Sequence, residues 1–361
     1  MLGKPKSKST NQGLANRAGQ SLFAISKLNN NNPNSIPLLV TGCAGFIASR
    51  TCELLLDQGH SVVGIDNLND YYDVSLKEYR LNKLKDREGF EFRQIDVENT
   101  KAVEGLHAEF KFETVLNLAA RAGVRYSMAN PTVYMMTNGM GTLNILEAMH
   151  KHGGKKFVLA STSSLYAGLP MPFLETLPVN TPISPYAASK KSAEAMAYTY
   201  QHLYGIDSTI LRYFTVYGPG DRPDMAIHRF IQWIDRGVPI KLYGDGKQSR
   251  DFTFVDDIAR GTILAAKPVG YEIINLGGGN NPIEINTVIE MIEELLGKKA
   301  KIEHLPMHKA DMISTWANID KAKELLDWAP QVPLDAGLEK CVRWYRDNSP
   351  WASNIDLGSK N

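Results

Sequence analysis

The order of apolar segments along the chain constrains its fold more than any other feature. From residue 36 onward, short apolar runs alternate with longer helical stretches. The runs lie at 36–40, 61–65, 90–95, 114–118, 157–160 and 208–214, and the helical stretches include 45–57, 132–150 and 187–204. Short strands that are apolar throughout are typical of a parallel sheet covered on both faces. The alternation therefore predicts an α/β chain with a Rossmann-type, doubly wound parallel sheet.

This regular spacing ends near residue 214. Beyond that point proline and glycine are more frequent, and a helix at 286–296 follows a glycine turn at 277–279. We expect the sheet domain to occupy residues 36–214 and to be completed by segments near 251–276. Residues 215–350 are expected to form mainly a smaller, interleaved C-terminal lobe.

Residues 1–35 differ from the rest of the chain in composition. They contain five basic residues and no acidic one, and their only apolar segment is 22–25. A segment with so little apolar mass cannot fold alone, so we expect a disordered basic tail. A targeting peptide is the alternative, although the apolar segment is too short for a secretory signal.

The composition excludes several classes of function. With 40 basic and 39 acidic side chains the net charge is +1, which provides no field that would attract nucleic acid or a membrane surface. No apolar run reaches the length of a transmembrane helix. The three cysteines lack the CxxC spacing, so a zinc site and a disulfide framework are not expected. We expect a cytoplasmic protein without a metal site.

A glycine-rich turn, Thr41–Ala48, follows the first predicted strand and opens a helix. Gly42 permits a tight turn there, and Gly45 lets the backbone approach a pyrophosphate at the helix N-terminus. Asp66 ends the second strand, where a carboxylate binds an adenosine ribose and repels a 2′-phosphate. The pattern therefore predicts NAD rather than NADP. The other expected cofactor contacts are Phe46, Ile47, Asp96, Val97, Leu118 and Ala119.

A tyrosine four residues before a lysine provides a candidate catalytic pair. Three such pairs occur, namely Tyr79/Lys83, Tyr186/Lys190 and Tyr243/Lys247. Only Tyr186 and Lys190 open a long helix, on which this spacing brings both side chains to one face. A free tyrosine has a pKa of about 10, and a neighbouring ammonium lowers it toward the range of a useful base. Lys190 would also hold the nicotinamide ribose, and Thr162 would bind the reacting oxygen.

With these residues in order, the chain resembles the extended short-chain dehydrogenase/reductase family of nucleotide-sugar enzymes over residues 36–345. Within that family it is most similar to UDP-glucuronate 4-epimerases. Four stretches carry this resemblance: Asn-Asp-Tyr-Tyr-Asp at 69–73, Ala-Gly-Val-Arg-Tyr-Ser at 122–127, Arg-Tyr-Phe-Thr-Val-Tyr-Gly-Pro at 212–219 and Arg-Pro-Asp-Met-Ala at 222–226. The resemblance implies an NAD-binding sheet domain, a UDP-sugar-binding lobe and transient oxidation at C4 of the sugar.

The resemblance also implies a set of substrate contacts. Arg222 would bind the uronate carboxylate, helped by Ser163, Ser164 and Thr215. Arg250 would bind the diphosphate, Asp311 the uridine ribose, and Arg229 would flank the uracil. Related dehydratases and decarboxylases carry acidic residues near 161–164, where this chain has only hydroxyls. Plain epimerisation is therefore favoured.

Departures from the family pattern leave two alternatives open. Asp221 precedes Arg222 where glycine is common, and it is expected to neutralise Arg222 in part; Ala48, Asn117 and Ala167 are further departures. A 4-epimerase of neutral UDP-hexoses or UDP-N-acetylhexosamines is the first alternative. The second is a non-catalytic NAD-sensing regulator, which the intact Tyr186 and Lys190 disfavour. The family also implies a homodimer formed through two helices, one of them at 187–204.

Overall fold

The computed structural model describes residues 36–279, 282–306 and 312–357. The basic tail and Asp311 lie outside the described residues. The strands in chain order are β1 (Leu38–Thr41), β2 (Val62–Ile65), β3 (Phe90–Arg93), β4 (Thr114–Asn117), β5 (Lys156–Thr162), β6 (Asp207–Tyr213), β7 (Thr215–Tyr217), β8 (Ile240–Tyr243), β9 (Ser249–Arg250), β10 (Phe252–Phe254), β11 (Tyr271–Leu276), β12 (Ile283–Glu284) and β13 (Ile302–Leu305).

The α-helices in chain order are α1 (Phe46–Asp57), α2 (Val74–Lys85), α3 (Thr100–Phe110), α4 (Val124–Ala129), α5 (Pro131–Tyr134), α6 (Gly141–His152), α7 (Pro185–Tyr204), α8 (Ala226–Arg236), α9 (Val255–Leu264), α10 (Ile285–Leu296), α11 (Asp320–Leu326), α12 (Leu334–Asp347) and α13 (Ser349–Ala352). A π-helical segment, Met135–Met140, joins α5 to α6, and a 3-10 turn, Ser163–Tyr166, follows β5.

Seven strands form the central sheet in the order β11-β6-β5-β4-β1-β2-β3, and every neighbouring pair is parallel. The predicted doubly wound sheet is therefore confirmed, and β1 to β6 begin and end within two residues of the predicted runs. The predicted helix at 132–150 contains the π-helical segment, whose wider turn shifts the side chains that follow it.

Alternate residues of β1 pack into two separate apolar cores, which explains why the strand is apolar throughout. Leu38 and Val40 belong to one buried cluster and Leu39 to another. Successive side chains of a strand point to opposite faces, so both faces of the sheet are covered.

The smaller lobe is built around three two-stranded sheets, β7 with β10, β9 with β12, and β8 with β13. Its chain is interleaved with the sheet domain, because β11 returns to the edge of the central sheet beside β6. In the described part of the chain, no helix has the length and apolar character of a membrane-spanning segment. Cys43, Cys52 and Cys341 are buried and form no disulfide.

Candidate active site

A cleft of about 660 Å³ opens where the carboxyl ends of the central strands face the smaller lobe. A parallel sheet presents its ligand sites at this edge. Residues of the glycine-rich turn, the ends of β2, β4 and β5, the start of α7 and the segment after β7 all line the cleft. The structure therefore brings the predicted cofactor, catalytic and substrate residues to one cavity, with Asp311 outside the described residues.

The glycine-rich turn leaves room for only a hydrogen at two positions. Gly42 has φ +72°, and a Cβ there would lie 2.8 Å from the Cα of Ala119. A Cβ on Gly45 would lie 2.9 Å from the carbonyl oxygen of Gly42. Gly45 is the N-cap of α1 and has no side chain to cover the first amides of the helix. These amides can therefore bind a pyrophosphate.

Asp66 is held at the end of β2 by two backbone amides. Its oxygens accept hydrogen bonds from the amides of Ala44, at 3.2 Å, and Leu68, at 2.8 Å. Lys77 lies 3.8 Å from the same carboxylate, a contact that the sequence analysis did not predict. Burial lowers the pKa of Lys77, and the charge of Asp66 opposes this shift. The other predicted cofactor residues, Phe46, Ile47, Asp96, Val97, Leu118 and Ala119, line the same cavity.

Tyr186 and Lys190 occupy the first turns of α7. The hydroxyl of Ser184 caps this helix by accepting a hydrogen bond from the Ala187 amide at 3.2 Å. Lys190 Nζ donates to the carbonyl of Ala160 at 2.8 Å. Tyr186 forms a hydrogen bond with the Thr162 side chain at the end of β5. The three predicted catalytic side chains therefore meet where β5 ends.

Burial is the largest influence on the pKa values of Tyr186 and Lys190. It raises the pKa of Tyr186, and the hydrogen bond with Thr162 opposes the shift. It lowers the pKa of Lys190 to about 7, and the charge of Glu194 opposes that shift. Lys190 contacts a carbonyl rather than the phenol. Lys190 alone therefore does not lower the pKa of Tyr186 as the sequence analysis expected. A further positive charge is needed for that shift.

A buried ion pair lies directly behind Lys190. Glu194, one helical turn further along α7, accepts two hydrogen bonds from Arg212 at 2.9 and 2.8 Å. It also accepts one from the Ser161 hydroxyl at 2.6 Å. Arg212 in turn donates to the hydroxyl of Tyr166 at 2.8 Å. This network joins α7 to β5 and β6 and fixes the strand end that carries Thr162.

The loop after β4 is held by a residue that the sequence analysis did not identify. Asn138, in the π-helical segment, accepts a hydrogen bond from the Arg121 amide and donates to the Arg121 carbonyl at 2.9 and 3.0 Å. It also donates to the Ser189 hydroxyl at 2.8 Å. No sequence signal marked Asn138, because an α-helical pattern does not show where a π-turn shifts the register.

Two tyrosines support the same loop from the other side. The hydroxyls of Tyr71 and Tyr134 donate to the carbonyl of Ala122 at 2.7 and 3.2 Å. The Tyr134 ring packs edge-on against Tyr186, with centroids 5.9 Å apart. Tyr134 therefore connects the Ala122 carbonyl, which it shares with Tyr71, to the ring of Tyr186.

Arg222 is paired with Asp224 rather than with Asp221. Its Nε and Nη2 donate to the two carboxylate oxygens of Asp224, the first at 3.0 Å. Asp221 accepts a hydrogen bond from the Arg222 backbone amide at 2.6 Å instead. Burial raises the pKa of Asp221 to about 8. The expectation that Asp221 neutralises Arg222 is therefore wrong, because the charge opposite the guanidinium belongs to a residue two positions later.

The predicted UDP contacts among the described residues lie in the same cleft. Arg229 and Arg250 both line it, as do Ser163, Ser164 and Thr215. Arg229 Nη2 donates to the carbonyl of Leu357 at 2.7 Å, so the C-terminal segment fixes this side chain. The guanidinium of Arg125 lies 3.9 Å from the ring centroid of Tyr243, which forms a flat surface that the sequence analysis did not predict.

Asn117, a departure from the family pattern, serves the packing of the sheet. Its side chain accepts a hydrogen bond from Thr41 at 2.7 Å and donates to Thr142 at 3.1 Å. It therefore ties β1 and β4 to α6.

Comparison with known proteins identifies the family. The signature of the NAD dependent epimerase/dehydratase family matches residues 38–277. UDP-glucuronate 4-epimerase of Thermodesulfobacterium geofontis is 59% identical over 319 residues, which cover 88% of this chain and 99% of that protein. The crystal structure of UDP-glucuronic acid 4-epimerase from Bacillus cereus, in complex with UDP-glucuronic acid and NAD, has a TM-score of 0.81 at 38% identity and covers 86% of this chain and 99% of its own.

A structure of UDP-glucose 4-epimerase from Thermotoga maritima with UDP-glucose is also similar, with a TM-score of 0.78 at 32% identity, covering 87% of this chain and 99% of its own. The family signature spans both the glycine-rich turn and the Tyr186/Lys190 pair. With that span and these identities, the chain belongs to the NAD-dependent epimerase/dehydratase family.

Proposed function

We propose that the protein is an NAD-dependent UDP-glucuronate 4-epimerase, which interconverts UDP-glucuronate and UDP-galacturonate through a transient 4-keto sugar. The observation that carries this proposal is the meeting of Arg222, the hydroxyls at 162–164 and the Tyr186/Lys190 pair in one cleft. The 59% identity to a UDP-glucuronate 4-epimerase supports it.

The first turn of the sheet domain fits NAD. Gly42 and Gly45 leave space for the pyrophosphate at the start of α1, and Asp66 faces the same cavity as a ribose acceptor. When bound, NAD accepts the hydride from C4 and brings the positive charge of its oxidised nicotinamide ring. Residues 36–214, with β11, form the NAD-binding domain in this proposal, and the remainder to residue 350 forms mainly the UDP-sugar-binding lobe.

Tyr186 is the acid–base residue of the proposed reaction. It takes the proton of the C4 hydroxyl when the sugar is oxidised and returns a proton to the C4 oxygen when the sugar is reduced. Thr162 hydrogen-bonds the reacting oxygen and the phenol. With NAD bound, Lys190 would hold the nicotinamide ribose, and its ammonium together with the oxidised nicotinamide ring would stabilise the phenolate.

The proposed site must keep the carboxylate on the sugar. A 4-keto glucuronate is a β-keto acid and loses CO₂ easily unless its carboxylate is held away from the reactive orientation. Asp224 binds the Nε and Nη2 edge of Arg222 and leaves Nη1 for the substrate carboxylate. Ser163, Ser164 and Thr215 line the cavity beside it. The hydroxyls at 162–164 supply no carboxylate to drive elimination.

A second candidate function is 4-epimerisation of neutral UDP-hexoses or UDP-N-acetylhexosamines. The ion pair with Asp224 favours it, because an arginine that already has a carboxylate partner attracts a second carboxylate less strongly. The similarity to a UDP-glucose 4-epimerase structure is consistent with this candidate. Arg222 remains the reason to prefer the uronate.

Proton NMR with three substrates in parallel tests the proposal. Purified protein is incubated with UDP-glucuronate, UDP-glucose and UDP-N-acetylglucosamine, and its bound NAD is measured. Conversion of the glucuronate to galacturonate without loss of CO₂, with little change in the other sugars, is expected. Turnover of the neutral sugars alone would support the epimerase mechanism and contradict the assignment of UDP-glucuronate as the substrate. No turnover of any of the three sugars by protein that contains bound NAD would favour a non-catalytic NAD-sensing regulator.

We propose further that two copies form a homodimer through adjacent surfaces of α4 to α7. Large apolar side chains are exposed there, including Met128, Met135, Met136, Met140, Met196 and Leu203. Light scattering after size exclusion is expected to give twice the chain mass. The double substitution Met136→Glu and Met196→Glu should yield a monomer. A monomeric wild-type protein would refute the proposal.

The cytoplasm is the proposed location. All three cysteines are buried thiols, which fits a reducing compartment. Cell fractionation is expected to recover the protein with soluble cytoplasmic enzymes.

A further inference from the structure

Arg80 connects the cofactor turn to the loop that carries Arg222, although it lines neither site. It lies on α2 and is 5% exposed. Its Nη1 donates to the carbonyl of Ala44, inside the glycine-rich turn, at 3.2 Å. Its Nη2 donates to the carbonyl of Gly220 at 2.7 Å. One guanidinium therefore holds backbone groups that are far apart in the chain.

The guanidinium is itself fixed by aromatic residues. Nη1 donates to the hydroxyl of Tyr72 at 2.7 Å. Its central carbon lies 5.6 Å from the ring centroid of Tyr72 and 5.8 Å from that of Phe46. A planar guanidinium held in this way can keep the carbonyls of Ala44 and Gly220 at a fixed separation.

The loop before Arg222 is held from its other side by α12. Gly220 has φ +65°, and a Cβ there would lie 3.2 Å from the ring of Trp344. Trp344 is anchored in turn, because its Nε1 donates to the hydroxyl of Tyr79 at 2.9 Å. Tyr79 precedes Arg80 on α2. Gly220, two residues before Arg222, therefore contacts both α2 and α12.

We propose that Arg80 is a positioning residue that sets sugar selectivity by fixing the Gly220–Arg222 segment relative to the NAD-binding turn. The inference rests on the proposed function, because it assumes that Arg222 reads the carboxylate. A neutral sugar has no carboxylate, so its binding does not depend on the position of Arg222. Loss of Arg80 therefore lowers activity on the uronate more than activity on UDP-glucose.

The test compares Arg80→Met and Arg80→Lys with Arg87→Met. Methionine keeps the apolar stem of Arg80 and removes its donors, whereas lysine keeps the charge without the fork. Arg87 is an exposed arginine just beyond α2 that pairs with Asp57, so its substitution is the matched control. Rates on UDP-glucuronate and UDP-glucose are measured at saturating NAD. Hydrogen exchange is followed in residues 218–226 and in β5.

In Arg80→Met, exchange at 218–226 is expected to rise at least tenfold while β5 stays protected. The ratio of kcat/KM for UDP-glucuronate to that for UDP-glucose falls at least tenfold, and Arg80→Lys recovers part of it. Arg87→Met changes neither quantity.

Two results overturn the proposal. One is unchanged exchange at 218–226 in the folded variant, which can be read even if the wild type proves inactive on UDP-glucuronate. The other is faster exchange with an unchanged selectivity ratio in an active enzyme. If Arg80→Met loses the protection of β5, the same two criteria are applied to Arg80→Lys.

Discussion

Removal of the Arg222 charge tests the uronate assignment directly, and the structure dictates how the variant must be made. Arg222→Leu alone leaves Asp224 without the guanidinium that binds both its oxygens. The two side chains are only 18% and 11% exposed. Breaking a buried pair by removing one partner costs about 3–5 kcal/mol. The informative variant is therefore Arg222→Leu with Asp224→Asn, which removes both charges together.

The expected loss follows from the hydrogen bond to the substrate carboxylate. A hydrogen bond to a charged group contributes about 1.5–3 kcal/mol, and about 1.4 kcal/mol corresponds to tenfold. We expect kcat/KM for UDP-glucuronate to fall about ten- to hundredfold in the double variant. The value for UDP-glucose should change by less than about threefold, since its C6 hydroxyl carries no charge to lose.

Asp224→Asn alone is the matched control. It keeps Arg222 and removes the competing carboxylate, so we expect selectivity for the uronate to increase. Initial rates are read by proton NMR at saturating NAD, and melting temperatures confirm that each variant is folded. Equal losses on both sugars in the double variant would assign Arg222 a structural role and refute the reasoning.

Three further variants test the catalytic pair, the cofactor turn and a buried acid. Tyr186→Phe should retain NAD while turnover falls about a hundred- to ten-thousandfold, and near-normal turnover would remove Tyr186 from the mechanism. Gly45→Ala should lose NAD during desalting, because its Cβ would lie 2.9 Å from the Gly42 oxygen. The control Gly105→Ala, whose Cβ would have no atom within 4 Å, should keep NAD. Equal retention of NAD in the two variants, measured by absorbance, would contradict the role of Gly45 in pyrophosphate binding. Burial raises the pKa of Asp221 to about 8, so the folded protein keeps a proton that the unfolded chain releases near pH 4 and loses stability as the pH rises between these values. Asp221→Asn should therefore raise the melting temperature at pH 8 and change it little at pH 4, and a gain independent of pH would show that Asp221 is not protonated.

The parts of the site that follow from local sequence could be predicted. Gly42, Gly45 and Asp66 are brought together by one strand–turn–helix–strand unit, whose geometry is the same wherever such a unit folds. Tyr186 and Lys190 are related by one helical turn. In each case a short stretch of backbone fixes the relation between the side chains, so spacing alone was sufficient.

The charges around Arg222 could not be predicted in this way. Asp221 and Asp224 are both close to Arg222 in sequence, and spacing does not say which carboxylate faces the guanidinium. The choice is made by the direction of the loop, which Gly220 sets with φ +65° between α2 and α12. Contacts with residues more than a hundred positions away therefore decide the electrostatics of this part of the cleft.

The face of α7 that carries Tyr186 and Lys190 depends on both local sequence and distant contacts. Tyr186, Lys190 and Glu194 follow one another at intervals of four, so one face presents a phenol, an ammonium and a carboxylate in order. Burial lowers the pKa of Lys190, and the charge of Glu194 opposes that shift. Arg212, from β6, binds both oxygens of Glu194 and so supplies the opposite charge that a buried carboxylate requires. The charges that surround Lys190 therefore depend on a strand that no helical spacing could have identified.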